Sequence, residues 1–170
     1  DSRMAPKARQ KCAEVHYRVG NQYLEKNALS LAREHYRQAA ETSSRIRPLV
    51  LYKLGLCYQK LGQHEKAIEV WGDLALMEGE DARDAAIISR YRLARLFEDR
   101  GYYMEAELNF ESFIESYPEH FLAPLAREGV ARVWARQGKS DQAFEYWSES
   151  GKSRQMIELS GQYATGLYHH

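Results

Sequence analysis

The stretch that decides the fold is Leu54-Gly55-Leu56-Cys57-Tyr58-Gln59-Lys60-Leu61-Gly62-Gln63-His64-Glu65-Lys66-Ala67-Ile68-Glu69-Val70-Trp71. Apolar residues at helical spacing run to Leu61, a glycine interrupts them, and a second helical pattern starts at His64. Gly62 stands where the first helix must end, because glycine takes the left-handed conformation there without strain. Counted from Gly55, a branched apolar residue lies one before and an aromatic three after. A turn former follows at seven, an alanine at twelve and a second aromatic at sixteen.

The same offsets recur around Gly20, Ala94 and Ala131, which with Gly55 are spaced 35, 39 and 37 residues apart. The preceding apolar residues are Val19, Leu54, Leu93 and Val130, and the first aromatics are Tyr23, Tyr58, Phe97 and Trp134. The turn formers are Asn27, Gly62, Gly101 and Gly138; the alanines are Ala32, Ala67, Ala106 and Ala143. The second aromatics are Tyr36, Trp71, Phe110 and Trp147. A small residue on each helix of a hairpin lets the two approach closely, and a larger one would overpack the contact at about 1–3 kcal/mol. The second aromatics are expected to fill the seam between hairpins, so truncating Trp71 or Trp147 should cost about 3–5 kcal/mol.

These residues resemble tetratricopeptide repeats, over roughly 13–151, with Gly55, Tyr58, Gly62, Ala67 and Trp71 closest to the pattern. Ala94, Phe97, Gly101, Ala106, Phe110 and Pro118 follow it as well. The resemblance implies an all-α, right-handed superhelical solenoid of about four helix-turn-helix repeats (13–44, 48–80, 87–120 and 124–151). A flexible arm over 1–10 is expected to precede the array over 11–151, and a capping helix and disordered tail over 152–170 to follow it. First helices are expected at about 11–26, 46–61, 82–100 and 119–137, and second helices at about 29–43, 64–78, 103–117 and 140–149. Pro48 and Pro124 suit first-turn positions. The additional residues 78–85 are read as length variation, leaving open a longer helix or a short loop.

Composition narrows the function classes. Lys plus Arg and Asp plus Glu are 24 each, so the basic excess usual in a nucleic-acid binder is missing. No stretch approaches the roughly 18 apolar residues that a membrane helix needs. Cys12 and Cys57 are too few for a disulfide framework and are read as free thiols, with Cys57 packed on an apolar helix face. No glycine-rich phosphate loop, His-Glu-x-x-His or Gly-x-Ser-x-Gly is present. The reading is therefore a non-enzyme with no catalytic residue, no metal and no cofactor. His16 and His35 fall on different helices, and Asp81 and Asp84 lack the oxygen-ligand density of a calcium loop. Because the chain opens at Asp1 with Met4 inside, a processed or excised form is expected.

Tetratricopeptide proteins usually bind an extended or helical peptide on the inner, concave face lined by first helices. The resemblance places Tyr17, Tyr52, Tyr91 and Glu128 there, three before each small residue. Asn21, Leu56, Arg95 and Arg132 follow one after it, and Leu24, Gln59 and Glu98 four after it. The tyrosines form a ladder of rigid rings with polar tips, the residue type favoured at binding hot spots. Two readings stay open: the tyrosines contact a partner or pack between first helices, and the arginines face a partner or pair with Glu98 and Glu128. The chaperone-type carboxylate clamp is disfavoured, since Asn21 and Arg92 agree with it but Tyr17, Lys53 and Ile88 do not. Residues Phe110, Phe113, Ile114, Tyr117, Pro118 and Ala123 resemble repeats of bacterial envelope proteins, such as the outer-membrane-assembly lipoprotein and the Tol–Pal accessory protein. The expected function is a scaffold for a protein partner, in the bacterial periplasm or cell envelope rather than the cytoplasm. The alternatives are a self-assembling module or the docking domain of a larger protein.

Overall fold

The computed structural model describes residues 6–42 and 45–148. Seven helices follow in order: α1 (Pro6–Glu25), α2 (Leu29–Glu41), α3 (Arg47–Lys60), α4 (His64–Ala75), α5 (Glu80–Asp99), α6 (Tyr103–Ser116) and α7 (Ala123–Arg136). An eighth, α8, occupies 140–148, and the described residues contain no strand. The chain divides into two compact units, one ending at Arg92 and the other starting at Leu93. In the first unit α1 packs on α2, α2 on α3 and α3 on α4; in the second, α6 packs on α7.

Every hairpin turn is built alike. Asn27, Gly62, Gly101 and Gly138 have φ of 55°, 72°, 78° and 83°, so all four turn formers are left-handed. The residue after each donates its N–H back to the carbonyl of Tyr23, Tyr58, Phe97 or Trp134, at 2.8–2.9 Å. The turn residues themselves donate to Leu24, Gln59, Glu98 and Ala135, at 3.0–3.2 Å. This hydrogen-bond pair is the Schellman closure of a helix C-terminus. The residue that donates to the aromatic then accepts from the alanine four further on, Ala32, Ala67, Ala106 or Ala143, and so starts the second helix. The recurrent spacing is thus the spacing of one capping device.

Glycines set the packing distance. A Cβ on Gly20 would overlap the Tyr36 ring, and one on Gly55 would overlap the Trp71 indole. Phe110 stands on Gly129 of α7, two residues before the Ala131 that the repeat alignment singles out. Tyr36, Trp71 and Phe110 are completely buried. Trp147 is not: it is 53% exposed, contrary to the seam-filling role expected of it. Tyr36 and Trp71 each lie on a glycine of their own hairpin's first helix and Phe110 on a glycine of the next, whereas Trp147 has Ala131 at the first position and no further first helix among the described residues for the second.

Boundaries shift where capping chemistry outweighs periodicity. α1 is helical from the first described residue, Pro6, so residues 6–10 of the expected arm belong to a helix. Residues 80 and 81 lengthen the third first helix, as Glu80 and Asp81 place negative charge in the first turn of α5. α6 stops at Ser116, before Pro118, and α7 starts at Ala123 with Pro124 in its first turn, later than the expected 119. The expected cap over 152–170 lies outside the described residues.

Candidate functional site

The eleven residues expected on the first-helix face are all half-buried, and they fall in both units. Tyr17, Asn21, Leu24, Tyr52, Leu56, Gln59 and Tyr91 belong to the first, on α1, α3 and α5. Tyr17 lies with its ring centroid 6.0 Å from that of Tyr36, and Tyr52 lies 6.5 Å from Trp71. Each tyrosine therefore rests on the buried aromatic of its own hairpin, which fixes the ring and leaves part of it uncovered.

Hydrogen bonds hold this face in place. The Tyr36 hydroxyl donates to Asn21 Oδ1 at 2.6 Å, and the Trp71 indole N–H donates to the Tyr52 carbonyl at 3.2 Å. Arg92 Nε donates to the Tyr52 hydroxyl at 3.3 Å, tying α5 to α3. Sequence reasoning missed Lys53, which is buried on α3 between Val50 and Cys57. Burial pulls its pKa below the usual lysine value, while Cys57 and Glu25 act to raise it. The signal was there: a lysine three residues after one core position and four before another points into the core.

Arg95, Glu98, Glu128 and Arg132 belong to the second unit. Arg132 grips Glu98 with two parallel bonds, Nε to Oε1 at 2.6 Å and Nη2 to Oε2 at 2.9 Å. Arg95 approaches Glu98 at 3.7 Å and Asp99 at 3.9 Å. Both guanidiniums thus face carboxylates of this chain, as the intramolecular reading of the arginines supposed. Glu107 accepts from the Trp134 indole N–H at 2.6 Å and from Gln137 at 3.1 Å, and Lys139 lies 3.7 Å away. This junction of α6 with the end of α7 was not expected from sequence.

His16 and His35, far apart in sequence, have their Nδ1 atoms 3.1 Å apart, and Tyr23 stacks on His35 at 5.4 Å. Among the described residues no group of three or more His, Cys, Asp or Glu could hold a metal ion. No described helix is long and apolar enough to cross a membrane.

Residues 49–76 match the tetratricopeptide repeat family. None of the curated proteins matches the chain by sequence. Among solved structures it is similar to MamA, at TM-score 0.69 and 15% identity, covering 86% of this chain and 81% of that one. It is also similar to MamA 41-end from Desulfovibrio magneticus RS-1, at TM-score 0.54 and 15% identity, over 88% and 97% of the two chains. A further similar structure is YrrB, a TPR protein with an unusual peptide-binding site, at TM-score 0.62 and 18% identity, over 89% and 70%. The repeat match and these likenesses agree with the four capped turns: the chain has the fold of tetratricopeptide-repeat proteins, with a family-type repeat at 49–76.

Proposed function

We propose that the chain is a non-catalytic scaffold that holds a peptide segment or helix of a partner protein against the first-helix face of its first unit. The observation that carries this reading is the set of half-buried tyrosines on successive first helices, Tyr17, Tyr52 and Tyr91. Tyr17 and Tyr52 are already seated on buried aromatics, so a partner would meet rigid rings and little side-chain entropy would be lost on binding. Leu24 and Leu56 add apolar contact beside them, and Asn21 and Gln59 add groups that can hydrogen-bond a peptide backbone. In the second unit, Arg132 contributes through its pair with Glu98 and not as an open fork for an acidic partner.

The Tyr117-Pro118 turn and its resemblance to envelope repeats favour a partner in the bacterial cell envelope. Fractionation of cells carrying the tagged full-length protein tests this, and recovery wholly in the cytosolic fraction refutes it. The scaffold reading is tested by affinity capture with purified protein, comparing the parent with Tyr52→Ala/Tyr91→Ala after circular dichroism confirms its helix content. Loss of a captured partner in the double variant is expected; undiminished capture would defeat the face assignment.

A further inference from the structure

The chain has no net charge, yet its helices divide the charge unevenly. α6 carries Glu105, Glu107, Glu111 and Glu115 and no basic residue. α1 carries Lys7, Arg9, Lys11 and Arg18 against Glu14 and Glu25. At helical spacing, the side of α6 opposite buried Ala106, Phe110 and Phe113 presents Met104, Leu108, Glu111 and Glu115 in one line, with Glu105 beside it. Met104 is 79% exposed and Leu108 67%. A cleft of about 600 Å³, lined in part by Tyr102, Met104 and Glu105, opens at the start of this helix. Exposed apolar side chains a turn apart and bordered by carboxylates mark a contact surface. The Glu111 carboxyl is raised above its usual range by burial and by neighbouring Glu107 and Glu115. That repulsion is relieved when a cation approaches.

The matching surface is on α1. Opposite buried Ala13 and Gly20, this helix presents Lys7, Lys11, Val15 and Arg18. Val15 is 54% exposed, and the three basic residues are exposed. Tyr17, Asn21 and Leu24 lie on another side of α1, so the two surfaces do not overlap.

We propose that the exposed face of α6 binds the exposed face of α1 on a second copy of this chain, the two helices running antiparallel. With Leu108 set on Val15, Glu111 falls within one residue of Lys11 and Glu115 within one residue of Lys7, while Glu105 lies level with Arg18 across the contact. The parallel arrangement with Leu108 on Val15 keeps only the Glu111 to Arg18 pair and sets Lys7 against Arg100. Antiparallel pairing also aligns the helix dipoles favourably. Each copy carries both surfaces, so α6 of one copy pairs with α1 of another.

Sedimentation equilibrium from about 10 μM to about 1 mM tests this, at about 20 mM and about 500 mM salt. The average mass of the parent is expected to rise with concentration at low salt and to fall back at high salt. Glu105→Lys/Glu111→Lys/Glu115→Lys and Lys7→Glu/Lys11→Glu/Arg18→Glu are each expected to stay monomeric. Their equimolar mixture is expected to associate again, because each variant's altered helix now matches the other's. All six positions are at least partly exposed, and circular dichroism checks the fold of both variants. A parent that stays monomeric at 1 mM in low salt overturns the proposal. So does association by either variant alone, or a mixture of folded variants that fails to associate.

Discussion

Adding one methyl group at Gly55 sets two effects of opposite sign against each other. In an unobstructed helix, glycine to alanine stabilises by about 1 kcal/mol, because glycine is the poorer helix former. Gly72 in α4 is such a site, with nothing within 4 Å of an added Cβ. At Gly55 the methyl would lie inside the contact distance of Trp71 Nε1, Cε2 and Cδ1. The indole is fully buried and donates to the Tyr52 carbonyl at 3.2 Å, so moving it also disturbs that hydrogen bond. Overpacking costs about 1–3 kcal/mol and the lost bond about 1 kcal/mol, together more than the helical gain. Gly55→Ala should therefore destabilise by about 1–3 kcal/mol, while Gly72→Ala stabilises by up to about 1 kcal/mol. Trp71→Ala should cost about 3–5 kcal/mol, and in its background Gly55→Ala should become stabilising. Urea denaturation followed by circular dichroism at 222 nm measures all four variants. If Gly55→Ala stabilised like Gly72→Ala, or were equally harmful without the indole, the close-approach argument would be wrong.

Asn27 holds a left-handed conformation that costs most L-residues about 1–2 kcal/mol; Asn27→Ala should destabilise by about 1 kcal/mol and Asn27→Gly should not, read from the same denaturation curves. Burial raises the Cys57 thiol from 9.0 to about 11, so the unfolded chain ionises first, and the stability this thiol contributes is intact below pH 9 and lost as pH rises through about 11. Urea midpoints measured from pH 8 to pH 11 should fall more steeply for the parent than for Cys57→Ala, and a thiol reagent at pH 7.5 should label half-buried Cys12 well before Cys57. Arg132→Ala removes a paired but partly exposed guanidinium and should cost about 1 kcal/mol; 0.5 M salt should shrink the difference from the parent.

The repeat was legible because its markers are local. Asn27, Gly62, Gly101 and Gly138 had to be turn formers to allow φ above zero, and each capping bond joins residues a few positions apart. Gly20 and Gly55 were legible for a related reason, since a bulky ring sixteen residues on calls for an absent side chain. What escaped the sequence depends on neighbours no offset encodes. Trp147 has the right spacing but no following first helix among the described residues to cover it. Phe110 stands on Gly129 of the following first helix, whereas Tyr36 and Trp71 stand on the glycine sixteen residues before them, because a ring goes where the backbone leaves room. Spacing gave the face positions of Arg95 and Arg132 but could not decide between a partner and Glu98. The geometry shows both against that carboxylate. His16 and His35 meet only because α1 and α2 fold back on each other.

The measurement closest to the central claim is the binding site of a peptide selected on this protein. A peptide taken from a random library on the immobilised chain would be titrated into isotope-labelled protein and followed by amide and tyrosine-ring resonances. The account predicts shifts concentrated at Tyr17, Asn21, Leu24, Tyr52, Leu56, Gln59 and Tyr91. It also predicts at least tenfold weaker binding to Tyr52→Ala/Tyr91→Ala, equivalent to about 1.4 kcal/mol. Shifts confined to other helices, with affinity unchanged in the double variant, would contradict it.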